Sequence, residues 1–387
     1  MPFIPHDFFQ LLLSSREKTT PASPAAVTDT MCAMASSPPR TPIDIRDNDF
    51  ESLSIASIIR SHPHERLFVR PLHWTLRHVN DLLGCSFIHH KSSPPLSRLS
   101  PPSSPNRKLD SSTVLRAQTT TGIDVSSPKV VPRPHPSPND QHVRILAQGR
   151  SLFAKAAALS ALVSNGPAAL ERTSKQLIFH FDGHSIPMPA SIFSRPQPTL
   201  PPGGTLPILA FLHRLDIQRS REASLEYILC PPPSRRPSSP TARLYDKRLA
   251  QTTPSDPLQD PYILAMLIAL AQSQQRQYAR ARLLSTTQSF QVCLSPLLSR
   301  SSIAHGLTPT LATQVHVIVS DTKVKSHLVL YTADVPSVFL DRLTSPHKRP
   351  HAAHHLAIRS IDIPFQPYSS FLERLTQTVV PPSPKRS

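Results

Sequence analysis

The residues most suggestive of catalysis lie in one short stretch, where an acid, a base and a nucleophile follow each other closely. Asp182, His184 and Ser185 are the residue types of a hydrolase relay. In such a relay the base approaches the nucleophile from a separate element of structure, which neighbours on one turn do not normally achieve. The sequence also has no GxSxG motif. The stretch therefore predicts a polar hairpin turn at Asp182-Gly183, and we assign no catalytic residue.

Metal coordination would have to come from histidine, because the four cysteines lie far apart and form no CxxC pair. The densest cluster consists of His347, His351, His354 and His355. Imidazoles four residues apart on a helix share an ion, but Pro346 and Pro350 exclude a helix across this segment. No Cys or carboxylate joins the cluster. We expect a solvated loop there and no metal ligand, and the pair His89-His90 has even less support.

Nucleotide-binding loops are excluded by the glycine pattern. A P-loop requires GxxxxGK[ST] and a dinucleotide site requires GxGxxG, whereas the only adjacent glycines are Gly203-Gly204 in a Pro-rich loop. No carboxylate pair suited to glycosidase chemistry stands out among the 25 acidic residues. We therefore expect no cofactor, although an enzyme with an unrecognised site stays the third interpretation of the chain.

Phosphate contacts are expected, if anywhere, near the end of one long helix. Arg276, Arg280 and Arg282 occur there, with Tyr278 between them. The alternative is an ordinary solvated helix end, where cations are also stabilised by the helix dipole. No zinc finger, RNP-like aromatic strand or helix-turn-helix pattern accompanies them.

Proline-directed phosphorylation sites form the most frequent motif class. Four Ser-Pro steps continue as S-P-x-[K/R], beginning at Ser37, Ser104, Ser345 and Ser383. Each phosphate would add about −1.5 to −2 charges beside basic residues. The alternative is a compositional accident in Ser/Pro-rich segments.

Composition limits the class of protein. The chain has 387 residues, 45 of them Pro and only 8 Gly, and a net charge of +17. Such proline content predicts long disordered segments, and the charge favours nucleic acid or anionic surfaces as partners. A C-rich coding strand would also produce part of this bias. No apolar stretch is long enough to span a membrane, and no secretory signal is evident, so we expect an intracellular protein of the nucleus or cytoplasm. A transit peptide stays an alternative for the first 40 residues.

The distribution of proline and apolar residues predicts five regions. Prolines recur every few residues in two segments, which cannot bury enough apolar surface to fold. The regions are a disordered segment 1–44, a short helical segment 45–90, a disordered linker 91–141, an α+β domain 142–380 with a Pro-rich loop at 231–256, and a disordered tail 381–387. Two short helices make no independent core, so we expect segment 45–90 to dock elsewhere or to fold with a partner.

The C-terminal elements define the fold class. Asp260-Pro261 begins a helix that is apolar on every face over 262–271, which predicts burial. Alternating strands follow at 315–319 and 328–332, then a helix after Pro336, a strand at 356–363 and a last helix after Pro367. Upstream, we expect a helix at 150–164, a strand at 176–181, a short helix after Thr205 and a strand at 224–230. The prediction is α+β, with helices covering one face of a small, mostly antiparallel sheet.

Three C-terminal segments resemble a family of uncharacterised hypothetical proteins from filamentous fungi. They are DPYILAMLIALAQSQ (260–274), LYTADVPSVFLDRL (330–343) and IPFQPYSSFLERL (363–375). The resemblance covers roughly the last 130 residues. It implies that the C-terminal module is a genuine fold, and it implies no activity, cofactor or binding residue.

Taken together, the residues favour a non-enzymatic, intracellular docking module with phosphorylatable disordered segments and an unknown protein partner. The alternative is a basic nuclear protein that binds nucleic acid weakly and without sequence preference. No membrane partner is expected.

Overall fold

A computed structural model describes part of the chain. The described residues are 53–65, 67–90, 137–149, 151–166, 169–197, 200, 203–229, 239–290, 312–349 and 355–379. The expectations for 1–44, for most of the linker 91–141 and for the tail 381–387 fall outside these residues. All of the described residues belong to one compact unit.

The described part contains eight α-helices. They are α1 Ile55–Ser61, α2 Pro138–Gln148, α3 Leu152–Ser164, α4 Arg214–Leu225, α5 Ser239–Thr252, α6 Pro261–Phe290, α7 Ser337–Thr344 and α8 Phe371–Val379. Shorter helical turns occur at Pro71–His73, His78–Leu82, Glu226–Ile228, Pro257–Gln259 and Tyr368–Ser370.

Seven strands form one sheet in the order β1-β7-β6-β5-β4-β3-β2. They are β1 Cys85–His90, β2 Glu171–Phe181, β3 His184–Pro196, β4 Thr205–His213, β5 Thr313–Ser320, β6 His327–Val335 and β7 Leu356–Pro364. The β1–β7 and β4–β5 pairs are parallel, and the other four pairs are antiparallel. The predicted α+β class with a mostly antiparallel sheet is therefore confirmed, although the sheet is larger than expected.

Helices pack on both faces of the sheet, whereas the sequence predicted helices on one face only. On the first face, here called the α6 face, lie α1, α6, α7 and the segment 67–83. On the second, the α8 face, lie α2, α3 and α8. Each face has its own apolar cluster, because successive strand residues point to opposite sides of the sheet.

The first turns of α6 are the centre of the structure. Residues 262–271 are all at most 3% exposed, as their uniformly apolar sequence predicted. Asp260 caps the helix by accepting a hydrogen bond from the Tyr262 backbone N–H. Beyond Gln274 the helix becomes exposed, and Leu283 is 70% exposed. None of the helices in the described part is long and apolar enough to cross a membrane.

Several upstream expectations were wrong. Residues 205–213 form strand β4 and not a helix, and residues 224–228 end α4 and continue as a helical turn instead of forming a strand. The leucine spacing in LPILAFLH resembled a helical repeat, but β4 lies between β3 and β5, where the sheet buries both of its faces. Part of the expected Pro-rich loop 231–256 is helix α5, whose Pro240 lies in the first turn, where a proline is tolerated.

The small N-terminal segment belongs to the same core. It supplies edge strand β1, paired with β7 from Cys85↔Leu356 onward, and buries Ile55, Ile58 and Trp74 on the α6 face. We expected this segment to dock elsewhere or to fold with a partner, and it packs on the sheet and the α6 face of the same chain. Similarly, α2 begins at Pro138 with Ser137 as its cap, inside the last residues of the expected linker.

Candidate binding pocket

The three arginines expected to contact phosphate lie on the exposed part of α6. Arg276 and Arg280 are one turn apart on one face of the helix, whereas Arg282 lies about 200° further round than Arg280. Arg276 Nη2 also donates to the Ile178 carbonyl, 3.5 Å away. Only Arg276 and Arg280 therefore share a surface.

Of the four Ser-Pro sites, Ser345 lies within the described residues, and Ser37, Ser104 and Ser383 lie outside them. Ser345 is half-buried at the end of α7, where its N–H donates to the Asp341 carbonyl. The following Pro346 is buried, and its carbonyl accepts from Ala56 N at 3.0 Å. Ser345 is therefore part of a folded turn.

The Asp182-His184-Ser185 stretch forms the hairpin turn between β2 and β3. Asp182 and Gly183 both have positive φ, 49° and 76°, which is the conformation of a tight type I′ turn. The Ser185 hydroxyl lies 3.0 Å from Nδ1 of His180 across the hairpin. The three residues are thus not aligned as a relay.

The C-terminal histidines do not converge in the described part of the chain. His347 is 72% exposed, and its Nε2 lies 4.0 Å from Asp182 Oδ2. His355 is exposed, and His351 and His354 are outside the described residues. Where the structure is described, no group of three His, Cys, Asp or Glu residues is placed to hold a metal ion.

A pocket of about 690 Å³ lies where the N-terminal segment meets α4, α5 and the start of α6. The first wall is formed by residues 64, 65, 67, 69 and 73–78, and the second by residues 248 and 250–255 at the end of α5 and in the following loop. Leu225, Tyr227 and Pro261 complete the lining. The volume is in the range of sites that enclose drug-sized ligands, about 300–1,000 Å³. We refer to this site as the α5 pocket.

Trp74 anchors the first wall. Its indole packs edge-on against Phe179 at 5.5 Å and stacks on His78 at 6.1 Å. Its Nε1 donates to the Val69 carbonyl at 3.2 Å. The ring is therefore fixed in position, and it borders the pocket with only 5% of its surface exposed.

His73 is held in place beneath the same wall. The Ser224 hydroxyl donates to the Arg221 carbonyl at 2.7 Å and lies 2.8 Å from His73 Nε2. A hydroxyl has one hydrogen to donate, so Nε2 must be the protonated nitrogen of a neutral His73. Burial, and then the charges of Arg70 and Arg221, lower the pKa of His73 to about 4. This imidazole is neutral near pH 7.

Two arginines line the α5 pocket, and they differ in whether a carboxylate of the protein pairs with them. Arg77 pairs with Glu65 and, at 3.0 Å, with Asp81. Arg248, half-buried in the last turn of α5, makes no side-chain hydrogen bond or ion pair with any part of the chain that the structure describes. Arg248 is thus the cation that is available to a ligand.

The α5 pocket is suited to binding. The polar groups that we have traced in its first wall are engaged with the protein: His73 with Ser224, Trp74 with Val69, and Arg77 with two carboxylates. A ligand would therefore contact aromatic and aliphatic surface together with one guanidinium.

Sequence reasoning did not identify this pocket. Trp74 is the only tryptophan of the chain, and it lies in the segment 45–90, for which the sequence predicts short helices and no site. Arg248 was assigned to a Pro-rich loop. The one available signal was the run RLYDKRLAQ (243–251), which contains Arg248, has no proline and favours a helix instead of a loop.

Comparisons with known proteins place the chain in no group. No family model, no curated protein sequence and no solved structure matches it.

Proposed function

We propose that this protein is a non-enzymatic docking module, located in the nucleus or cytoplasm, that holds a protein partner in the α5 pocket. The observation that carries the proposal is the combination of the exposed aromatic ring of Tyr227 with the unpaired guanidinium of Arg248 in one pocket. Protein interfaces use aromatic and arginine residues as their main anchors.

The Ser/Pro-rich segments serve in this proposal as phosphorylatable regions. Ser37, Ser104 and Ser383 are the expected sites. Ser345 is expected to be the poorest, because its segment is folded and a phosphate there would meet the negative end of the α7 dipole. Phosphopeptide mapping after treatment with a proline-directed kinase checks this order, and stronger labelling at Ser345 than at the other three would contradict it.

Affinity purification with the full chain as bait tests the docking proposal. The bait is used at low and high salt, with and without nuclease, and as wild type, Arg248→Glu and Arg243→Glu. Arg243 is exposed on the same helix, about 140° away from Arg248, and does not line the pocket. Both substitutions change the net charge by the same amount, but only Arg248→Glu changes a residue that lines the pocket.

Protein partners that survive high salt and nuclease, and that are lost with Arg248→Glu but kept with Arg243→Glu, would support docking. Loss of every partner on nuclease treatment would reject it in favour of the second candidate.

The second candidate is weak, nonspecific nucleic-acid binding. It is favoured by the net charge of +17 and by the shared face of Arg276 and Arg280. Its affinity for duplex DNA should fall steeply with salt, because each neutralised phosphate releases counterions. Sub-micromolar preference for one sequence would make this the leading function.

A further inference from the structure

The α5 pocket also specifies what kind of partner fits it. We propose that it receives an extended acidic segment of a partner protein, in which an Asp or Glu side chain lies beside aliphatic or aromatic side chains. This inference rests on the docking function proposed above and goes further, because it names the chemistry of the occupant.

The acidic part follows from the charges around the pocket. Among the arginines and the glutamate that line it, Arg77 and Glu65 neutralise each other, which leaves Arg248 as the uncompensated charge. A half-buried guanidinium is best satisfied by a carboxylate, which accepts two parallel hydrogen bonds from it. The ligand therefore places a carboxylate at Arg248.

The end of α5 opposes an anion at this position less than an uncapped helix end would. The last carbonyls of a helix carry partial negative charge, but those of Arg248 and Leu249 already accept hydrogen bonds. Thr252 Oγ1 lies 3.2 and 3.1 Å from these two oxygens, and Thr253 N lies 2.9 Å from the Leu249 oxygen. The helix end is thus partly neutralised by its own cap.

The apolar part follows from the remaining lining. Tyr227, which is 54% exposed, and the half-buried Val69 and Leu76 present aromatic and aliphatic surface to the pocket. Leu67, Trp74 and Leu225 also border it, but each is at most 6% exposed. Such surface gains free energy by excluding water, in proportion to the apolar area that a ligand covers. A carboxylate alone would leave it hydrated, so the ligand needs apolar groups next to its acid.

An extended chain fits better than a small metabolite. The pocket opens to solvent, because residues that line it on both sides, such as His64, Arg77 and Gln251, are exposed. Its two walls come from separate segments, so a chain can enter and leave between them. The net charge of +17 also attracts an acidic macromolecule over long range and accelerates its association.

Trp74 makes the test direct, because it is the only tryptophan in the chain and lines the pocket. The full chain is titrated with a synthetic peptide that alternates Asp with Leu and Phe and lacks Trp, while Trp74 emission is recorded. Comparison probes are the same peptide with Asn for each Asp, the same peptide with Ser for each Leu and Phe, and phenylacetate.

We expect a saturable change in Trp74 emission with the acidic apolar peptide. Each comparison probe should bind at least about tenfold more weakly, as should the acidic peptide to Arg248→Glu, since a charge-assisted contact is lost. Arg243→Glu should stay within about twofold of wild type. Circular dichroism confirms that both variants are folded.

Three outcomes overturn the inference. The first is that the Asn peptide binds as tightly as the acidic peptide. The second is that phenylacetate binds as tightly as the acidic peptide, which would indicate a metabolite site. The third is that Arg243→Glu and Arg248→Glu weaken binding of the acidic peptide equally, which would indicate that net charge alone attracts it. If the acidic peptide fails but affinity purification yields a partner that Arg248→Glu loses, only the occupant's chemistry is wrong. If both experiments fail, the docking function is wrong as well.

Discussion

Arg221 of α4 and Asp260 at the start of α6 form a bidentate ion pair in the interior of the protein. Their atoms meet at 3.1 Å (Nη1 to Oδ2) and 2.5 Å (Nη2 to Oδ1), and both side chains are 3% exposed. Arg221 Nε also donates to the Leu72 carbonyl at 3.2 Å. The pair therefore joins α4, α6 and the N-terminal wall of the α5 pocket.

Asp260→Asn should destabilise the protein strongly. The substitution leaves the Arg221 charge buried without a counterion, which typically costs about 3–5 kcal/mol. The free energy of unfolding is measured by urea denaturation. Asp334→Asn is the control, because Asp334 pairs with Arg359 at the surface, where both side chains are about half exposed. A surface pair contributes about 0–1 kcal/mol, so equal effects of the two substitutions would contradict the structural role given to Asp260.

One residue on the outer edge of β2 is covered by a side chain of α6. Gln272 Oε1 accepts from the His180 N–H at 2.9 Å, and Gln272 Nε2 donates to the His180 carbonyl at 2.8 Å. This amide thus imitates a neighbouring strand. An open edge is a template for pairing with another molecule, so the contact protects the sheet from association.

Gln272→Ala should therefore have two effects. Loss of two hydrogen bonds should lower the free energy of unfolding by about 2 kcal/mol, and the freed edge should promote concentration-dependent association. Urea denaturation and light scattering measure these effects. Gln275→Ala, the same substitution three residues along the helix, should change stability by less than about 0.5 kcal/mol. Monomeric behaviour of Gln272→Ala at all concentrations would remove the protective role.

The sequence predicted the C-terminal half of the fold because its local signals agree with its tertiary environment. Asp260-Pro261 begins α6, the alternating valines form β5, and the residues after Pro336 form α7, all as expected. The all-round apolar run of α6 has no other stable location than a core.

Of the upstream strands, β2 was predicted in part, over 176–181, whereas β3 and β4 could not be predicted, because pairing and not propensity determines them. Pro187 and Pro189 argue against a strand, yet both lie in β3. Over these residues β3 pairs with β2 alone, since its pairing with β4 begins at Ser191. A proline is tolerated where one side of a strand is unpaired. The α5 pocket was missed for a related reason: Trp74 and Arg248 become neighbours only through the packing of α4 and α5 against the N-terminal segment.

Stability should decrease in mild acid because of His316. Burial lowers the pKa of this β5 side chain from its ordinary 6.5 to about 4. Between these values the unfolded chain binds a proton that the folded chain does not, so the free energy of unfolding falls as the pH decreases from 6.5 towards 4. At about 1.4 kcal/mol per pKa unit, the full contribution is at most about 3.5 kcal/mol.

His316→Asn should make this pH dependence shallower, since it removes one titrating group, while His73, whose pKa is also lowered to about 4, continues to contribute. Denaturant unfolding at several pH values between the two limits measures the slope. His347→Asn is the control, because His347 is 72% exposed, and it should leave the slope unchanged. An unaltered slope in His316→Asn would mean that His316 is not the group responsible.

The last helix offers the sharpest test of the packing on the α8 face. Phe371, Leu375 and Val379 are at most 5% exposed, and Tyr368 and Leu372 pack beside them, as the spacing of these residues predicted. Leu375→Asp would bury an unpaired carboxylate among apolar side chains, at a cost of several kcal/mol. That cost is comparable with the whole stability of a domain, about 5–15 kcal/mol.

Glu373→Gln is the matched control, because Glu373 is exposed on the same helix, and it should change stability by less than about 0.5 kcal/mol. Thermal unfolding of the full chain compares the two. The whole chain is required, since β5 pairs with β4 and the apolar cluster under α8 includes residues of α2 and α3. If Leu375→Asp melts like wild type, α8 does not pack on the sheet and its apolar side is a contact surface for another molecule.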